Sequence, residues 1–267
     1  DCIRSDRSGG IFAFHLDSRS EAIVIQLTVI SDNKQTDQKN GKISEEAIMN
    51  RKSITQEYYT LVVDKYGVLP SMHREESGAG LVAAAFMDLL SVDAITEDKK
   101  KITVVKDLPN ELMYLEPLYL YLKEKQRSAN KMMTDWHTGA RCRLLMESIG
   151  KSLTDDGMVT EEEGGLFRPK KVYIPVKEYK EELNRILKAA VIAKEEMRPA
   201  DMALLCILKE SKNLNQYFSK DERDELRRRI KEIKEDPQNK ALSEMIRYIT
   251  YVEDLTAYVV IAATMAN

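Results

Sequence analysis

From position 166 to 173 the chain reads Leu166, Phe167, Arg168, Pro169, Lys170, Lys171, Val172, Tyr173, an interleaving of apolar and basic side chains. That composition suits the headgroup boundary of an acidic membrane, where each basic residue contributes about 1 kcal/mol and an apolar tip partitions into the interface. An ordinary edge hairpin, with lysines placed against aggregation, has the same composition. Arg141 and Arg143 stand early in a run through Leu144, Leu145, Met146 and Ile149. If Leu144, Leu145 and Ile149 face a core, Arg143 lies at the margin of that face, where its guanidinium fork can take a phosphate. A solvated or salt-bridged arginine is the common alternative. Gly78-Ala79-Gly80 opens an alanine-rich run, and backbone N–H groups at a helix start can bind an oxyanion, although small residues there also let helices approach closely.

Catalytic signatures are missing. There is no Walker A loop, no G-x-S-x-G elbow, no H-E-x-x-H and no C-x-x-C pair. His15, His73 and His137 are far apart and none stands at ligand-like spacing, so neither a metal nor another cofactor is expected. Glu161 to Glu163 adjoin an expected hairpin and read as a solubilising turn. The chain therefore reads as non-enzymatic.

These residues need elements to position them. At 267 residues, 43% hydrophobic, the chain can bury a large core without staples. Cys2, Cys142 and Cys206 are odd in number and widely spaced, which predicts free thiols in a reducing, cytoplasmic compartment. A net charge of −3 does not favour nucleic acid or acidic membrane for the molecule as a whole, so an anion site must be a local patch. No apolar run reaches the roughly 18 to 20 residues of a spanning helix; Ala257 to Ala266 is the strongest candidate and reads as a buried core helix.

Residues 1–48 read as an N-terminal extension or leader, with a possible hairpin of Gly10–Leu16 and Ala22–Ile30 and a polar linker, Ser31–Lys42, while residues 49–267 read as one domain. A capping box at Ser53 and Gln56 opens a helix that stops by Gly67, and Gly78–Leu90 predicts a buried one. Ala94–Thr96 and Ile102–Val105 suggest a small hairpin; Leu112–Lys123 must kink or break at Pro117. Met132–Leu153 reads as helices around Gly139, and Met158–Ile174 as a second hairpin. Helices are then expected over Val176–Met197, Ala200–Leu208, Lys220–Glu235 and Lys240–Met265. The third carries a Ser219/Glu222 capping box and pairs Asp224 with Arg228 and Glu225 with Arg229. In the last, Leu242, Met245, Ile246, Ile249, Val252 and Leu255 mark a core stripe. The fold class is mainly α, with two short β-hairpins.

This order, with the strings I-T-Q-E-Y-Y-T-L-V-V, S-G-A-G-L-V-A-A-A-F-M-D-L-L, R-C-R-L-L-M-E-S-I-G-K-S-L-T-D-D-G-M-V and A-D-M-A-L-L-C-I-L, resembles the Golgi phosphoprotein 3-like family over about Ser53 to Ala266. The resemblance implies a single globular domain, a central helix bundle ringed by amphipathic helices. It also implies binding to phosphatidylinositol 4-phosphate and recruitment of protein clients. The family's pocket has a tryptophan and an arginine around the alanine-rich helix and two arginines three residues apart on the helix before the second hairpin. Those positions fall near His73 and on Val82, Arg143 and Met146. Arg143 alone is retained, with His73, Arg74 and Arg141 as nearby substitutes, so the family's own lipid does not carry over directly.

The expected activity is thus peripheral docking on membranes through an anionic phospholipid headgroup. Arg143, Arg141, His73 and Arg74 would be the ligand-binding residues, with Leu166, Phe167, Arg168, Lys170 and Lys171 forming a membrane or self-association hairpin. Protein clients and a homo-oligomer assembled through that hairpin are the other implied partners. Two alternatives stand beside it. A helix, an Asp156-Gly157 turn and a basic hairpin also lay out a winged-helix nucleic-acid or regulatory module, opposed by the acidic balance. A protein–protein scaffold assembling through the second hairpin is the other.

Overall fold

A computed structural model describes residues 51–164, 170–193, 197–237, 247 and 249–255. The first half runs α1 (Ile54–Val62), a 3-10 turn (Ser71–His73), α2 (Arg74–Ser91), β1 (Ile95–Asp98), β2 (Lys101–Val104), a 3-10 turn (Asn110–Leu115), α3 (Glu116–Glu124) and β3 (Arg127–Ser128). There follow α4 (Ala129–Trp136), α5 (Gly139–Thr154), β4 (Val159–Gly164), β5 (Lys170–Pro175), α6 (Lys177–Ile192), α7 (Pro199–Glu210), a 3-10 turn (Leu214–Gln216) and α8 (Lys220–Glu235). Residues 249–255 are helical. The protein is mainly α, with two small antiparallel sheets.

The centre is built from α1 and α2. Ser77–Leu89 of α2 is buried because that stretch is almost wholly apolar and must be enclosed, and every residue of α1 is buried with it, its polar Thr55, Gln56, Glu57 and Thr60 each hydrogen-bonded. Around them pack α4, α5, α6 and α7. The outer helices α6 and α8 bury only narrow stripes: Leu183, Leu187 and Val191 in one, Leu226, Ile230 and Ile233 in the other.

The amides at the start of α1 are fully accounted for. Gln56 N–H donates to Ser53 Oγ (3.2 Å), and Ser53 N–H to Gln56 Oε1 (3.4 Å), completing the capping box. The N–H groups of Ile54 and Thr55 donate instead to the two carboxylate oxygens of Asp88, buried in α2, at 3.0 and 2.8 Å. One helix is therefore capped by a side chain from another. Just ahead of α1, the Arg51 guanidinium bridges Glu57 of α1 (2.6 Å) and Asp201 of α7 (2.5 Å), and Arg198 completes the cluster on Asp201 at 2.7 Å.

Two glycines of α2 explain how closely the core is packed. A Cβ on Gly78 would sit 1.9 Å from the His137 carbonyl oxygen, and one on Gly80 would sit 2.1 Å from the Tyr58 hydroxyl. Close helix approach, rather than an oxyanion nest, is what Gly78-Ala79-Gly80 provides. The helix begins four residues before Gly78, at Arg74, so these glycines are not at its N-terminus.

Several sequence expectations are revised. The Leu112–Lys123 run does break at Pro117, as expected, but as a change of element: a 3-10 turn ends at Leu115, and α3 starts with Pro117 in its first turn, where a missing N–H costs nothing. The first hairpin gains a third strand, β3, too short to leave a periodic signal. Leu144 is exposed while Cys142, Leu145, Ile149 and Gly150 face inward, so the buried stripe of α5 is shifted from the expected one. The helix expected to reach Met197 ends at Ile192. On α8 the close ion pairs are Asp224–Arg227, Glu225–Arg228 and Arg228–Glu232, so Asp224 pairs one residue earlier than expected, while Arg229 helps Arg228 to hold the Glu225 carboxyl below its ordinary range. Arg229 also donates to the carbonyls of Ala190 and Ala193, because unsatisfied oxygens at the end of α6 draw a cation.

The expected hairpin of Gly10–Leu16 and Ala22–Ile30, the Ser31–Lys42 linker, Leu166, Phe167 and Arg168 lie outside the described residues, as do Leu242, Met245, Ile246 and Ala257–Ala266. Ile249, Val252 and Leu255 are buried, as the core stripe requires. Among the described residues no helix is long and apolar enough to cross a membrane.

Candidate functional site

Three segments far apart in sequence meet at one cleft of about 610 Å³. The first is the loop after α1 with the start of α2, contributing Gly67, Val68, Leu69 and Arg74. The second is the start of α5, contributing Thr138, Gly139, Cys142, Arg143, Met146 and Glu147. The third is β5, contributing Lys170, Lys171, Val172 and Tyr173.

Backbone geometry explains why they can meet. Gly67 adopts φ +71°, and a Cβ there would lie 2.8 Å from that of Val172, so the loop presses directly on β5. On the other side of β5, a Cβ on Gly150 would fall 2.4 Å from Cβ of Tyr173, which sets the strand against α5. The Tyr59 hydroxyl donates to the Tyr173 carbonyl at 2.9 Å and ties the same strand to α1. The strand is thus held from three directions.

The floor is apolar: Tyr59, Leu69, Cys142 and Tyr173 are buried. Burial pushes the Cys142 thiol up to about 11, so it stays neutral and behaves as a small hydrophobe. The rim is cationic. Arg74, Arg143, Lys170 and Lys171 are all exposed, against one lining carboxylate among the described residues, Glu147. Lys171 pairs with Glu161 at 2.6 Å, and that carboxylate holds its ammonium above the usual lysine range. The N-terminus of α5 also opens here. Thr138 gives it no side-chain cap and its first turn holds no acidic residue, so its amides and positive dipole end are available to an anion. His137 Nδ1 lies 3.0 and 3.1 Å from the carbonyl oxygens of Met133 and Thr134, two acceptors, which places its proton on that nitrogen.

The expected ligand residues are divided by the structure. Arg143 and Arg74 line the cleft together, and Lys170 and Lys171, read from sequence as a membrane hairpin, form another wall of it. His73 and Arg141 are not among the lining residues. His73 is half-buried in the 3-10 turn before α2, its N–H donating to the Pro70 carbonyl. Arg141 points elsewhere, 3.5 Å from Asp135 and 5.1 Å above the Tyr121 ring, because a carboxylate and an aromatic face compete for its guanidinium. Val82, where the family pocket has its companion arginine, is fully buried in α2 and could not present a charge to the cleft. Met146, the position of the other missing arginine, lies along the wall.

The cleft also uses residues that the sequence reading passed over: the loop Gly67–Leu69, Thr138 and Gly139. A signal for the last two was present in part, since Thr138-Gly139 ahead of a first turn free of Asp and Glu marks a helix start just before Arg143, whereas only the structure shows that Thr138 leaves that start uncapped.

Residues 54–249 match a protein-family model described as Golgi phosphoprotein 3 (GPP34). No curated protein matches the chain.

Proposed function

Because the chain belongs to the Golgi phosphoprotein 3 family, we propose that it is a non-enzymatic, peripheral membrane-docking domain that holds an anionic phospholipid headgroup in the cleft between α2, α5 and β5. One observation carries this reading. In a molecule of net charge −3, four cations from three separate segments converge with an uncapped helix N-terminus on one concavity. Phosphate is the group that both a guanidinium fork and helix amides recognise. The family's phosphatidylinositol 4-phosphate is one candidate among acidic lipids, because Arg74 and the two lysines replace arginines that the family sets at Val82 and Met146.

Vesicle flotation tests it. The full chain is expected to float with phosphatidylcholine vesicles containing phosphatidylserine or phosphatidylinositol 4-phosphate and to stay behind with phosphatidylcholine alone. The Arg74→Ala, Arg143→Ala double variant should bind about thirtyfold more weakly, two charges at about 1 kcal/mol each. Unchanged binding of that variant would end the proposal. A difference between the two acidic lipids would decide whether stereospecific recognition is added to charge.

A further inference from the structure

The loop joining α1 to α2 presents apolar side chains to solvent beside the cationic cleft. Tyr66 is 65% exposed, Val68 40% and Met72 84%, whereas their neighbour Leu69 is buried at 5%. Three large apolar side chains held out within seven residues are unusual, since a chain free to do so turns them inward as it does Leu69. The loop is also rigidly shaped. Asp64 Oδ1 accepts from the N–H groups of Tyr66 (2.8 Å) and Val68 (3.2 Å). Asp64 N–H donates to the Val68 carbonyl and Gly67 N–H to the Asp64 carbonyl, each at 3.0 Å. Gly67 at φ +71° rests on Val172 of β5. The hydrogen bonds hold Tyr66 and Val68 outward.

The surroundings identify what these side chains meet. Lys65 lies 5.0 Å above the Tyr66 ring. Val68 is itself part of the cleft wall, along with Arg74, Arg143, Lys170 and Lys171. The nearby acidic groups among the described residues are Asp64, taken up by the turn, Glu75 and Glu76 in the first turn of α2, the latter paired with Lys212, Glu147 in the cleft, and Glu161, paired with Lys171. Apolar tips flanked by cations, on a molecule that is acidic as a whole, complement an acidic phospholipid surface: the cations meet headgroups while the tips enter the acyl boundary. We propose that the loop Lys65–Met72 is a membrane-inserting wedge that sinks Tyr66, Val68 and Met72 into an acidic bilayer next to the headgroup cleft. Its orientation rests on the headgroup reading; its insertion does not.

The test uses the full chain and phosphatidylcholine–phosphatidylserine vesicles. A Tyr66→Ser, Val68→Ser, Met72→Ser triple variant should keep the wild-type melting profile, the three side chains being exposed, and lose about tenfold or more in vesicle affinity. A Tyr66→Trp variant supplies the independent readout. The only native tryptophan, Trp136, is buried, so a blue shift and protection from acrylamide on adding vesicles would come from position 66. Loss of binding in the triple variant together with that shift supports the wedge. If the Arg74→Ala, Arg143→Ala variant floats normally while the triple variant does not, the headgroup reading fails and the wedge stands. The wedge is overturned if the triple variant floats like wild type, if vesicle-bound Tyr66→Trp shows no shift, or if the triple variant changes only self-association in light scattering.

Discussion

At the scale of single residues, two buried charges show what the interior tolerates and why. Lys180 donates from Nζ to the Val63 carbonyl at 2.8 Å, at the end of α1, and burial lowers its ammonium to about 8, with Asp64 opposing. The folded value lies below the ordinary 10.5, so between about pH 8 and 10.5 the unfolded chain binds the proton more tightly. Stability should therefore rise with pH through that window relative to a Lys180→Met variant, as urea unfolding at several pH values would record. Arg51 is the opposite case. Its guanidinium is what allows Glu57 and Asp201 to be buried together. Burial holds Glu57 above the usual carboxylate range, while Arg198 and Arg51 outweigh burial at Asp201 and hold it below. Arg51→Met should cost about 3–5 kcal/mol in urea unfolding, the expected penalty for orphaning a buried charge. The variant's deficit should shrink as pH falls, because the Glu57 carboxyl, raised further, then folds with its proton. Neither role was legible in sequence. The partners of Arg51 are 6 and 150 positions away, beyond the reach of any local pattern.

At the scale of elements, most of the fold was legible because local chemistry and burial agree. The capping boxes at Ser53 and Ser219 start their helices where the residue types say they should. The second hairpin pairs Val159 with Pro175 through Gly164 with Lys170, close to its expected limits. What sequence missed depends on neighbours: the Arg74 start of α2, hidden by the polar turn Arg74-Glu75-Glu76, and the strand β3, which exists only by pairing with β2. The glycines separate two kinds of constraint. Gly78→Ala must displace the His137 backbone and should cost about 3 kcal/mol, in the range of core overpacking. Gly139→Ala meets nothing within 4 Å but keeps φ +73°, and should cost about 1 kcal/mol. Thermal melts of the two variants would rank them, and the reverse order would refute the packing account.

At the scale of the whole molecule, a net charge of −3 and a cationic cleft are compatible because the field at the rim is local. Raising salt from about 0.1 M to 1 M shortens the Debye length from about 10 Å to about 3 Å. Flotation on phosphatidylserine vesicles should then fall sharply while the melting temperature barely moves, since the core is largely uncharged. Random duplex DNA at low salt should give no electrophoretic shift. The site was half legible in sequence. Arg143 and the two lysines stood out by type, but only the packing of β5 between the loop and α5 makes them one surface, and only competition from Asp135 and Tyr121 removes Arg141 from it.

The cap that Asp88 places on α1 also bears on how the chain is made. Ile54 and Asp88 are 34 residues apart, so at about 5–20 residues per second a ribosome releases the helix start roughly 2–7 seconds before its acceptor exists. Throughout that interval the Asp88 carboxylate cannot serve the amides of Ile54 and Thr55. The opening helix of the domain is therefore finished by α2, which is synthesised after it.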